Sequence, residues 1–86
     1  MTDKTIFIVE DIFSIIGAGI ILVGKLTSGT LSLGMKTNFN GKISEVNKIE
    51  FDHKSSDTLL PNVPAGISMS NIDKSDVVKG SEYIFE

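Results

Sequence analysis

Two apolar stretches dominate the first third of the chain. Residues 5–14 and 20–26 are rich in Ile, Val, Leu and Phe, residue types that suit a pleated, half-buried strand surface. Gly17-Ala18-Gly19 predicts a turn between them, and Thr27-Ser28-Gly29-Thr30 a second, after which Leu31, Leu33 and Met35 alternate. Asn40-Gly41 separates Thr37-Asn38-Phe39 from Lys42-Ile43-Ser44. It predicts a tight hairpin, because a type I′ turn needs positive φ at both central positions. Farther on, Ile43, Glu45, Asn47, Ile49 and Phe51 share one parity while Val46 lies on the other. A bulge or bend is therefore expected between Val46 and Ile49. A short helix over 42–54, through Ile43, Val46 and Glu50, is the competing reading, disfavoured by its β-branched content.

The remaining pattern is also strand-like. His53-Lys54-Ser55-Ser56-Asp57 reads as a polar loop, and Thr58-Leu59-Leu60 as a short strand stopped by Pro61. Residues 67–72 form a further strand in which Ile67 and Met69 alternate with serines. Residues 73–79 are a polar connection with room for one helical turn, and Gly80 releases a last strand over 81–85. Short strands punctuated by glycine predict an all-β fold, a small closed or nearly closed antiparallel β-barrel. Neither a repeat nor a composition break divides the chain. One domain over 1–86 is expected, with residues 1–4 flexible.

The stretch from Glu10 to Met35 has two rival readings. As a membrane span it is too short: residues 12–23 give a dozen positions interrupted by Ser14, Gly17 and Gly19, whereas a spanning helix needs about 20. As a nucleotide loop it has two glycines of a fingerprint, but Leu22 where the third belongs, and no Gly-Lys-Ser/Thr follows.

Composition narrows the function classes. At 86 residues, a domain buries only about 60% of the surface that its unfolded chain exposes. There is no cysteine, so disulfides, thiolate metal sites and thiol nucleophiles are excluded together. That favours a reducing, cytoplasmic setting, and the start has no signal-peptide pattern. The net charge is −3 and all 8 basic residues are lysines. No bidentate guanidinium is available for phosphate or guanine, so any RNA contact is local and modest. His53 is the single histidine; with no second strong ligand beside it, it reads as a surface residue rather than a metal site.

Glu10-Asp11-Ile12-Phe13-Ser14-Ile15-x-Gly17-x-Gly19, then Val23-Gly24-Lys25-Leu26-x-x-Gly29-x-Leu31-x-x-Gly34-Met35, resembles the second, β-barrel domain of translational GTPases. The resemblance continues through Val46, Ile49-Glu50, His53, Leu60-Pro61, Gly66, Asn71-Ile72, Lys74, Asp76-Val77 and Lys79-Gly80. It covers residues 6–85 and is of the elongation factor Tu and elongation factor one-alpha kind, nearest to the archaeal and eukaryotic type. The family's GTPase chemistry belongs to a different domain, so the resemblance implies a non-catalytic barrel needing no cofactor. The barrel is expected to dock on a GTPase domain or another translation factor, on ribosomal RNA, or on the end of a tRNA. Neither DNA nor a membrane is an expected partner.

By the same resemblance, Glu10, Asp11, Phe13 and Lys25 are the candidates for an aminoacyl or RNA-end pocket. Bacterial carriers have arginine where this chain has Ala18, Lys25 replaces a usual arginine, Ile20 a common threonine, and Pro64-Ala65 an Asn-Val pair. These departures weaken the tRNA reading relative to a protein–protein adaptor, since Lys does not reproduce a planar guanidinium. Strand alternation puts Glu10 and Asp11 on opposite faces and makes Phe13 a core residue or barrel-end plug. Val9, Ile12, Ile15 and Ile16 are the candidate patch for docking a partner.

Overall fold

A computed structural model describes residues 4–17 and 19–86. Among the described residues nine strands follow in chain order: β1 (Thr5–Ile15), β2 (Gly19–Ser28), β3 (Leu31–Ser32), β4 (Lys36–Phe39), β5 (Lys42–Phe51), β6 (Lys54–Ser56), β7 (Thr58–Leu59), β8 (Ala65–Met69) and β9 (Glu82–Phe85). A single 3₁₀ turn, Lys74–Asp76, precedes β9. The sheet order is β4-β5-β8-β2-β1-β9, with β6 attached to β5 and β3 paired separately with β7. Every described pairing is antiparallel.

The two outer strands of that order meet. The Lys36 amide donates to the Glu86 carbonyl at 2.7 Å, and the Glu86 amide donates back to Lys36 at 2.8 Å. Six strands therefore run round a nearly closed antiparallel barrel, which removes most of the exposed edge that an open sheet would carry. Phe7, Val9, Leu22, Leu26, Leu31, Phe39, Ile49, Leu59 and Ile67 fill the inside, all essentially inaccessible to solvent. Phe7 meets Phe85 edge-on at 6.3 Å, and Phe39 packs on Tyr83 at 4.6 Å.

Asn40 and Gly41 have φ of 53° and 86°, the geometry expected of the hairpin that pairs Phe39 with Lys42. The expected irregularity in β5 is present: the register against β8 shifts between Val46 and Lys48, leaving Asn47 unpaired. That extra residue lets Ser44, Val46 and Ile49 all face inward, and it leaves Ile43 exposed. No helix forms over 42–54.

Several boundaries differ from the expectation. Leu33 falls in a turn and is exposed, so the alternation after Leu31 stops there. The polar loop at 53–57 is instead strand β6, folded back on β5 through Asp52 and His53, whose φ values are 53° and 62°. Strand β8 ends at Met69. The expected flexible start lies largely in Met1–Asp3, outside the described residues, as does Ala18. No helix among the described residues is long and apolar enough to cross a membrane.

Candidate functional site

Strand β1 is inward at Phe7 and Val9 and again at Ile12. Regular alternation allows an even step only, and Val9 to Ile12 is an odd one. The register against β2 explains it: Val9 pairs with Gly24 and Asp11 with Val23, so Glu10 is an extra residue, a β-bulge. Glu10 is exposed and Asp11 half-buried between two core residues. The expectation of opposite faces is thus overturned, and both carboxylates stand on the outer side of the barrel. The Ile12 amide donates to Asp11 Oδ1 at 2.9 Å, and Lys79 Nζ lies 3.7 Å from the same oxygen.

Gly24, opposite the bulge, is required by close approach. A β-carbon there would collide with the Ile8 carbonyl oxygen and would stand 3.2 Å from the Phe7 ring. This close approach of β1 to its antiparallel partner β2 fixes the strand from which Glu10 and Asp11 project.

Phe13 follows on the same outer side, 47% exposed. It is not a core residue, because the bulge has moved it out of phase with Phe7 and Val9. Lys25 pairs with Ile8 and is half-buried on that outer face, one outward position beyond Val23 along β2. The structure therefore brings Glu10, Asp11, Phe13 and Lys25 onto one face of the β1–β2 hairpin. The proposed docking patch is divided instead. Ile15 and Ile16 are exposed at 47% and 105%, whereas Val9 at 0% and Ile12 at 6% are core and present nothing to a partner.

The register continues this face across the sheet. Asp11 pairs with Val23, Val23 with Gly66, Gly66 with Glu50, and Glu50 with Ser55. With strands about 4.8 Å apart, Asp11 and Glu50 are separated by roughly 14 Å of sheet, too far to share a proton. Gly66 brings no side chain to the middle of this row, and a depression of about 410 Å³ opens there, lined by Val23, Glu50, His53 and Pro64 among others. His53 was not expected at a site. The Asp52-His53 turn swings it to the rim, and a hairpin without Asn-Gly carries little local signal. Among the described residues no His, Asp or Glu cluster has metal-binding geometry.

No family model matches the chain. Elongation factor 1-alpha of Sulfolobus acidocaldarius is 37% identical to it over 74 residues, 84% of this chain and 17% of that protein. Elongation factor 1-alpha of Pyrobaculum calidifontis is 34% identical over 82 residues, 92% of this chain and 18% of that protein. In the solved apo structure of translation elongation factor SelB from Methanococcus maripaludis, the same fold covers 95% of this chain and 18% of that one, with a TM-score of 0.81 and 18% identity. The chain is a barrel of the translational-GTPase domain 2 type.

It spans under a fifth of the length of the relatives that it matches, and the match is to a small barrel rather than to a GTPase domain. Within this domain 2 barrel, two departures from the family pattern have visible settings. Ile20, in place of the common threonine, points into the core at 5% exposure. Pro64 stands exposed at the rim of the Gly66 depression and has no amide N–H to donate there.

Proposed function

We propose that this domain 2 barrel is a non-catalytic docking module of the translation machinery, working in the cytoplasm. Its docking face is the outer side of the β1–β2 hairpin. Glu10 and Asp11 supply acceptors, Phe13 an exposed ring on which a base or an aminoacyl group stacks, and Lys25 a cation beside them. The observation that carries this reading is the bulge at Glu10, which turns both carboxylates and Phe13 outward together on a rigid two-stranded support. Kinship with elongation factor 1-alpha supplies the setting: the end of a tRNA, ribosomal RNA, or a GTPase domain.

Fluorescence anisotropy with labelled aminoacylated and bare tRNA, at low and moderate salt, tests it. The reading requires binding that Phe13→Ala and Glu10→Ala weaken without unfolding the barrel. Equal binding by wild type and both variants overturns it.

The second reading is a protein–protein adaptor with no RNA role. The all-lysine basic set and the net charge of −3 favour it, as do Ile15 and Ile16 exposed beyond the same face. A GTPase domain that binds the barrel in the absence of any RNA, with tRNA failing to bind, decides for it.

A further inference from the structure

The closure between β4 and β9 is incomplete. Main-chain direction alternates along antiparallel strands, so the Lys36–Glu86 pair is followed two residues on by Asn38 and Ile84, each aimed at the other strand. Yet no ladder runs between them: among the described residues β4 is in register with β5 and β9 with β1. The Ile84 carbonyl instead accepts from Thr37 Oγ1 at 2.6 Å. Outside this seam lies a groove of about 660 Å³. Ile43 and Ile84, exposed at 56% and 47%, form its apolar walls.

Charge around the groove is one-sided. Glu82 and Glu86 line it and Glu45 stands opposite Lys36 in the β4–β5 ladder, three carboxylates against the single ammonium of Lys36. Two sheet edges with no ladder between them, apolar walls and an acidic rim define an occupant. We infer that the β4–β9 seam binds an extended peptide segment in which apolar residues alternate with lysine or arginine. The backbone of the peptide takes the Asn38 amide and carbonyl and the Ile84 amide, its apolar side chains enter between Ile43 and Ile84, and its cations meet Glu82 and Glu86. This surface is separate from the Glu10–Phe13 face, and the inference does not depend on the proposal made for that face.

The test is an amide NMR titration of the chain with a capped heptapeptide of alternating valine and lysine. Two controls accompany it: the same peptide with glutamate for lysine, and the basic peptide with proline at its centre. Saturable shifts centred on Asn38 and Ile84, with slowed amide exchange at both, are expected for the basic peptide alone. Ile84→Asp, an exposed change that leaves the spectrum folded, weakens binding about tenfold, and Ile43→Asp does likewise. Equal binding of the acidic or proline peptide overturns the inference, as do shifts confined to other surfaces or no shifts at all. Concentration-dependent shifts at Asn38 and Ile84 without peptide would assign the seam to a second copy of the chain, and would equally overturn it.

Discussion

Val9 and Ile12 both point into the barrel core, three positions apart on one strand. In a regular strand they would face opposite sides, and the residue that reconciles them is Glu10, which has no partner on β2. The bulge keeps Ile12 inside while turning Asp11 and Phe13 outward. A structural irregularity, rather than any unusual residue type, creates the candidate docking face.

Stability should follow this phase. Ile12→Ala is expected to cost about 2–5 kcal/mol, as deletion of a buried aliphatic side chain does. Glu10→Ala should stay within about 0.5 kcal/mol of wild type, since Glu10 packs against nothing in the core. Urea unfolding of the two variants checks the pair. Equal costs would mean that the bulge is misplaced.

Phe13→Ala contrasts with Phe7→Ala in the same way. Phe7 is fully buried against Phe85, and its loss should cost about 3–5 kcal/mol. The exposed Phe13 should cost less than about 1.5 kcal/mol, because little apolar area is uncovered by its removal. A midpoint shift for Phe13→Ala as large as that for Phe7→Ala would return it to the core.

The glycines opposite and beside the site differ in a way that substitution to alanine exposes. Gly24→Ala drives a methyl into the Ile8 carbonyl and should destabilise the barrel by about 3 kcal/mol or more. At Gly66 the added carbon would meet only Ile21 Cγ2, at 3.5 Å. Gly66→Ala should fold normally and partly fill the depression in the outer face. Thermal unfolding of both variants distinguishes these outcomes.

Acid should loosen the 3₁₀ turn. Asp76 accepts from the Asp73 amide at 2.9 Å, from Lys42 Nζ at 2.8 Å and from Asn40 at 3.4 Å. The Asp73 amide first, and then Lys42, hold its carboxyl below the ordinary value of 3.8. A folded-state pKa that is depressed contributes stability above the unfolded value, and that contribution is lost as pH falls through the folded one. Lys42 is raised above 10.5 chiefly by its bond to Asp76, so its share is present below 10.5 and lost as pH rises through the raised value. Asp76→Asn should flatten the fall in urea midpoint below about pH 4, where wild type loses this contribution. An unchanged acid limb would assign acid sensitivity to other carboxylates.

The barrel was legible in the chain because local and global signals agree. Asn40-Gly41 demands its hairpin, and the parity conflict between Val46 and Ile49 announces the bulge at Asn47. The bulge at Glu10 left no such trace. Residues 5–16 are apolar at most positions, so either phase is chemically acceptable there, and the choice is made by pairing with Gly24 and Val23 across the sheet. Val9 and Ile12 therefore look the same as Ile15 and Ile16 by residue type and differ from them only in position relative to the bulge. Strand β6 is hidden in the sequence for a related reason. Its Lys-Ser-Ser sequence has no strand propensity, and pairing with Ile49–Phe51 imposes the conformation.

The most direct test of the docking face is amide NMR of the labelled chain during titration with aminoacylated tRNA, then with bare tRNA. The account predicts saturable shifts at residues 10–13 and at Val23, Gly66 and Glu50, stronger with the aminoacyl group present and weakened by salt. Absence of shifts on this face with either RNA would contradict an RNA-end role and leave the protein adaptor as the reading.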